Sequence, residues 1–96
     1  MLLEFENEMI EWRGPAPFYY VPVPPEESEL IKETARQTSY GWGVIPVRVT
    51  IGHTEFTTSL FPRGGVYLVP VKNAVRVPEK LSLGDRVEVS LEIDFY

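Results

Sequence analysis

The end of the chain alternates strictly between apolar and polar residues. The apolar positions are Val87, Val89, Leu91, Ile93 and Phe95, and the polar positions between them are Arg86, Glu88, Ser90, Glu92 and Asp94. A period of two places these sets on opposite faces of a β-strand. The sequence therefore predicts a last strand with its apolar face in the core and its polar face in water.

Shorter runs of the same kind predict strands over residues 2–12, 18–23, 47–51, 56–60 and 66–70. In the first of these, Leu3 and Phe5 share one face. Ile10 and Trp12 fall on the other face. We therefore expect one extra residue, a bulge or a bend, near Asn7.

Glycine marks the turns between these segments. Gly52-His53 predicts a two-residue hairpin turn, because glycine accepts the positive φ that a type II′ turn requires. The segments 63–65 and 83–85 also contain glycine and predict the turns before the strands that follow them.

One helix is predicted after the second strand. Pro24-Pro25 suits the first helical positions, and the two glutamates that follow complement the amide-rich end of the helix dipole. Apolar or small residues recur at helical spacing in Leu30, Ile31, Thr34, Ala35 and Thr38. The glycines of segment 40–43 end the helix, and Gly41 can take a left-handed cap. A further helical turn fits within residues 71–80, limited by Pro78.

Together these elements predict a single all-β domain over residues 1–96 with one short helix. Six short strands joined by tight turns favour a closed or nearly closed barrel over an open sheet. The length leaves no room for a second core, and an apolar content of 44% is sufficient for one.

The net charge of −5 is unevenly distributed along the chain. Residues 1–33 carry a net charge of −6, whereas residues 34–76 carry +4. An acidic protein is repelled by a phosphate backbone, which disfavours nucleic acid as a partner. The chain has no cysteine, so disulfides and Cys-ligated zinc are excluded, and no cofactor is expected.

The cytoplasm is the expected compartment. A small secreted domain usually needs disulfides, and the first eleven residues carry acids where a signal peptide needs a basic segment. No apolar run approaches the length of a membrane span, so we expect no membrane association.

Several short motifs resemble, in their order and spacing, those of a small bacterial family of unknown function. They are P-x-E-x-S-x-L-I-K at 24–32, S-L-F-P-R-G-G-x-Y at 59–67, K-x-x-V-R at 72–76 and L-x-x-G-D-x-V-x-V at 81–89, after an aromatic-rich first strand. The resemblance implies a six-stranded double-split β-barrel, the architecture also used by the AbrB and MazE DNA-binding domains. Some relatives are fused to a YdeI/OmpD-associated domain, which has no counterpart in this sequence. The family has no established reaction, so the resemblance implies a fold and no activity.

The main candidate site consists of Ser59, Arg63, Tyr67, Lys72 and Arg76. Ser59 and Arg63 would share a strand face, and Lys72 and Arg76 would share a face if their segment is helical. A guanidinium fork near an ammonium, a hydroxyl and a phenol suits a carboxylate or phosphate ligand. In the structural alternative, Arg76 pairs with Asp85 or another acid, Arg63 is solvated and Tyr67 packs inside.

Other motifs favour structural interpretations. His53 is the only histidine, and its hairpin position offers no nucleophile or orienting partner. Gly64-Gly65 lacks the spacing of a phosphate loop, and the acids of the last strand form a solvated face. The aromatic residues near the helix favour the core: Phe18, Tyr19, Tyr20, Tyr40 and Trp42. The alternative for segment 40–43 is an exposed loop that forms the lip of a pocket or an interface anchor.

We therefore expect a non-enzymatic binding or interaction module, a monomer or a homodimer, that takes a small-molecule anion or a protein partner. One alternative is an AbrB-like DNA-binding domain acting as a dimer, which rests on fold analogy alone. Another is a small enzyme, although no nucleophile–base constellation is recognisable.

Overall fold

A computed structural model describes residues 1–12, 18–37 and 43–94, and antiparallel strands make up most of them. The strands are β1 (Leu2–Glu8), β2 (Ile10–Trp12), β3 (Phe18–Pro22), β4 (Ile45–Ile51), β5 (Thr54–Arg63), β6 (Val66–Pro70) and β7 (Arg86–Glu92). The helices are α1 (Pro25–Arg36) and the single turn α2 (Asn73–Arg76). The all-β class with one short helix is thus confirmed, as is the helical turn expected within residues 71–80.

The strands form one curled sheet in the order β1-β7-β4-β5-β6-β3-β2. Although β1 and β2 are consecutive in the chain, they lie at the two ends of this order, which curls the sheet into a half-barrel. The Asn7 side-chain amide closes part of the gap by donating to the Pro22 carbonyl at 3.0 Å. The double-split connectivity remains a prediction.

The first predicted strand divides at Met9, which corrects the expected six strands to seven among the described residues. Met9 is fully buried. Its amide donates to the Asp85 carbonyl at 2.8 Å, and its carbonyl accepts from the Gly84 amide at 3.0 Å. The bend expected near Asn7 therefore lies two residues later, where the chain leaves β7 and moves to β3.

The core lies inside the curl of the sheet. Val87, Val89, Leu91 and Ile93 are buried, whereas the charged residues between them are exposed and Ser90 is half-buried, so the predicted register of the last strand is confirmed. Phe95 lies outside the described residues. β4 alternates in the same way, with its odd-numbered residues buried.

Helix α1 packs against β6 and the core with a narrower stripe of buried residues than the sequence predicted. Its buried residues are Ser28, Ile31 and Ala35. Leu30 is one position off that stripe and is 53% exposed, so its assignment to the buried face was wrong. Thr38 and segment 40–42, including the expected Gly41 cap, lie outside the described residues.

Two hairpins have the tight turns that the sequence predicted. Gly52 has a φ of 58° between the paired residues Ile51 and Thr54, as a type II′ turn requires. Gly64 and Gly65 have φ values of 60° and 84°. Among the described residues, no helix has the length and apolar character needed to cross a membrane.

Candidate functional site

Strand β5 changes partner along its length, and this opens a cleft. It pairs with β4 as far as Leu60 and with β6 from Phe61 to Arg63. The register of Phe61 with Leu68 would set Ser59 opposite Pro70. Proline has no N–H to donate to the ladder, so the pairing ends at Phe61 and the two strands separate.

The cleft between the separated strands, which we call the wedge, has a volume of about 720 Å³. On its far side β3 continues beside the end of β6, where the Val71 amide donates to the Tyr19 carbonyl at 2.9 Å. Its lining combines aromatic, hydroxyl, amide and basic side chains: Phe18, Tyr19, Tyr20, Thr58, Ser59, Phe61, Pro70, Val71, Lys72 and Asn73.

Aromatic rings form the apolar part of the wedge. Phe18 is 57% exposed and Phe61 is 44% exposed, while Tyr19 and Tyr20 are half-buried. The rings of Phe18 and Tyr20 are tilted, with centroids 6.5 Å apart. The core assignment favoured for these aromatics was therefore wrong for Phe18 and Tyr20, whereas Tyr19 packs against the core and also lines the wedge. Tyr40 and Trp42 lie outside the described residues.

The basic part of the wedge comes from the start of α2. Lys72 is exposed and immediately precedes α2, and its carbonyl accepts from the Arg76 amide at 2.8 Å. This helical turn places the two side chains on the same side of the segment. The Arg76 guanidinium lies 4.7 Å from the ring centroid of Tyr19 and donates to Asn73 Oδ1 at 3.2 Å.

Arg76 therefore lies behind the wedge and stabilises its wall, because its two partners, Tyr19 and Asn73, line the cleft. Its Nε is buried and has no hydrogen-bond partner among the described residues. The cation–π contact holds the Tyr19 ring, and the hydrogen bond holds the Asn73 amide. The pairing of Arg76 with Asp85, which was the structural alternative, does not form, and Asp85 Oδ2 instead accepts from the Ser82 amide at 2.8 Å.

The wedge differs in charge from its surroundings. Its lining contains no carboxylate, and in the described part of the chain no ion pair involves Arg63, Lys72 or Arg76. Three other surface clefts each contain carboxylates, for example Glu4, Glu6 and Glu88 in a cleft of about 560 Å³. An anion would meet an uncompensated ammonium in the wedge and carboxylates in these other clefts, two of which Arg48 also lines.

The structure brings together some of the predicted site residues and separates others. Ser59 and Lys72 line the wedge, and Arg76 lies behind it. Arg63 does not line it, since its guanidinium carbon lies 3.4 Å from the ring centroid of Trp12. Tyr67 is fully buried in the core, where it presents no face to a ligand, and burial raises the pKa of its phenol.

Sequence reasoning missed Thr58, Phe61 and Asn73 as members of the site. Phe61 is part of a sequence motif, and nothing in its pattern shows that β5 changes partner there. The available signal was Pro70 at the end of a strand, since proline often marks the place where sheet pairing stops. Among residues 1–12, 18–37 and 43–94, no cluster of His, Asp or Glu side chains could hold a metal ion.

A family model described as "Domain of unknown function (DUF1905)" matches residues 5–91. The match spans most of the sequence, so the chain belongs to this family, and its function is unknown. No curated protein matches the sequence.

Proposed function

We propose that this member of the family is a non-enzymatic binding module whose wedge takes a small anion with an aromatic or apolar body. The observation that carries the proposal is the composition of the wedge: four aromatic rings, the aliphatic hydroxyls of Thr58 and Ser59, and an ammonium, with no carboxylate. The anion site expected at Arg63, Tyr67, Ser59, Lys72 and Arg76 is thereby reduced to Lys72, Ser59 and, indirectly, Arg76.

The chemistry of these groups favours such a ligand. Lys72 can donate charge-assisted hydrogen bonds, which are about twice as strong as neutral ones. An apolar part of the ligand that covers the exposed rings of Phe18 and Phe61 removes their apolar surface from water, which favours binding. A cleft of this volume is within the range of about 300–1,000 Å³ that is usual for small-molecule sites.

The geometry disfavours hydrolysis at Ser59. His53, the only histidine in the sequence, lies at the exposed tip of the β4–β5 hairpin. Six residues of extended strand, roughly 20 Å, separate it from Ser59. A histidine at that distance cannot take the serine proton.

The finer expectations from the motif resemblance belong to this proposal: an AbrB- and MazE-like double-split barrel, relatives with a YdeI/OmpD-associated domain, and a bacterial cytoplasmic setting. DNA binding is the less favoured function of that architecture. The net charge is −5, and Glu6 is paired directly opposite Glu88 on an exposed sheet face. Such a surface repels a phosphate backbone.

Calorimetric titration with phenyl phosphate tests the proposal, with benzylamine as the oppositely charged analogue. We expect phenyl phosphate to bind and benzylamine not to bind. Lys72→Gln should weaken phenyl phosphate binding about tenfold, equivalent to about 1.4 kcal/mol. Lys32→Gln removes the same charge from α1, away from the wedge, and should leave binding unchanged. Equal binding of the two probes, or equal effects of the two substitutions, would contradict the proposal.

A further inference from the structure

The side chains of the wedge follow an order from its closed end to its open end. Positions on the two walls can be compared through β6, because it pairs with both neighbouring strands. It pairs Leu68 with Phe61 of β5 on one side and Pro70 with Tyr20 of β3 on the other. Continuing these registers sets Ser59 level with Pro70. It also sets Phe18 level with Lys72, in agreement with the hydrogen bond from the Val71 amide to the Tyr19 carbonyl.

Phe61 therefore marks the closed end, and the ammonium of Lys72 marks the open end, where Phe18 lies at the same level on β3. Phe61 lies at the last β5–β6 pair, Thr58 and Ser59 occupy the middle of the β5 wall, and Lys72 lies at the mouth. The four steps along the chain from Leu68 to Lys72 span roughly 13 Å at about 3.3 Å per residue. A ligand with its anionic group bonded directly to its ring is too short to contact both Phe61 and Lys72.

We propose that the wedge binds a free mononucleotide, a ligand with a planar ring, a polyhydroxyl spacer and a phosphate in this same order. The inference rests on the proposed function and specifies its ligand class. The base stacks on the exposed face of Phe61, the ribose hydroxyls meet Thr58 and Ser59, and the phosphate accepts from Lys72. Asn73, held by Arg76, adds an amide at the phosphate end.

The closed end selects a free nucleotide over a nucleic-acid strand. The pairing of Phe61 with Leu68 blocks the wedge beyond the base, so a polynucleotide has no path through it. The acidic face around Glu6 and Glu88 repels phosphates outside the wedge. A single phosphate at the mouth is much less affected, because salt screens exposed charges beyond about 8–10 Å.

The test compares AMP, adenosine, inorganic phosphate and phenyl phosphate by calorimetric titration against wild type, Phe61→Leu and Lys72→Gln. AMP should bind at least tenfold more tightly than adenosine or phosphate, since it alone meets both ends of the wedge. Phe61→Leu should weaken AMP about tenfold and leave phenyl phosphate unchanged, because that probe is held by Lys72 and the neighbouring Phe18. Lys72→Gln should weaken both.

The outcomes separate this inference from the proposed function. If phenyl phosphate binds through Lys72 but AMP gains nothing over it, the nucleotide assignment is wrong and the anion-binding function stands. If neither binds, both fail. Tighter binding of a short oligoadenylate than of AMP, at about 150 mM salt, would overturn the choice of a free nucleotide. Phe61 is 44% exposed, so we expect Phe61→Leu to fold, and its unfolding midpoint serves as the check.

Discussion

The Ser28 hydroxyl takes the place of one rung in the ladder between β3 and β6. Continuing the register of these strands sets Val23 opposite Tyr67. The Val23 amide donates to the Tyr67 carbonyl at 2.8 Å, as expected for such a pair. The reciprocal bond, from the Tyr67 amide to the Val23 carbonyl, is replaced by two bonds through Ser28. The Tyr67 amide donates to Ser28 Oγ at 3.1 Å, and Ser28 Oγ donates to the Val23 carbonyl at 3.0 Å.

We predict that Ser28→Ala lowers the free energy of unfolding by about 2–4 kcal/mol. Ser28 is 1% exposed, so water cannot replace its hydroxyl. Two hydrogen bonds, each with a net value of about 0.5–1.5 kcal/mol, are lost, and a stranded buried group costs about 1–3 kcal/mol. The higher helix propensity of alanine offsets about 0.5 kcal/mol of this loss. Such a change is a large part of a domain's usual stability of about 5–15 kcal/mol.

Urea unfolding followed by far-UV circular dichroism measures the effect. Thr34→Ala is the control, because it also removes a hydroxyl of α1, together with a methyl group. Thr34 Oγ1 donates to the Leu30 carbonyl at 2.9 Å, an exposed bond within the helix, so its loss should change stability by less than about 0.5 kcal/mol. Equal effects of the two substitutions would refute the relay and show that β3 and β6 can pair directly at this position.

Three further predictions concern stability. Leu91→Asp should cost several kcal/mol, because it buries an unpaired carboxylate, whereas Glu88→Ala on the exposed face should cost less than about 0.5 kcal/mol. Equal urea midpoints for these variants would mean that the β7 register is wrong. Gly52→Ala should cost about 1–3 kcal/mol, since Gly52 has a φ of 58° and an added Cβ would meet the Glu79 carboxylate. In a protein that also carries Glu79→Ala, the Gly52→Ala substitution should lower the free energy of unfolding by less. An unchanged loss would mean that the contact with the Glu79 carboxylate does not contribute. Burial raises the pKa of Tyr67 above 10.0 in the folded state. The neutral phenol therefore contributes its full stability below pH 10.0, and this contribution is lost as pH rises through the folded-state pKa. Relative to Tyr67→Phe, wild type should therefore lose unfolding free energy above about pH 10, and a pH-independent difference would contradict this linkage.

Elements with a clear two-residue period could be predicted from the sequence. β7 has one face in the core and one in water, so its alternation is complete. β6 could be placed but not oriented, because Tyr67, Leu68 and Val69 are all buried and no period shows which side faces a ligand.

The wedge itself could not be predicted, because it depends on strand pairing rather than on local pattern. It exists because β5 pairs with β4 and then with β6, and because Pro70 ends the second pairing. The helical spacing of Lys72 and Arg76 was predictable, but the contact of Arg76 with Tyr19 depends on the β3–β6 register. Ser28 was likewise a motif residue whose burial follows only from the docking of α1 on β6.

The central claim is that the wedge is where this protein binds an anionic ligand. The most direct test is a titration of ¹⁵N-labelled protein with phenyl phosphate, followed by amide chemical shifts. We expect the largest shift changes in segments 18–20, 58–61 and 71–73, and we expect them to diminish in Lys72→Gln. An absence of shift changes, or changes centred on the outer face of β1 and β7, would contradict the claim.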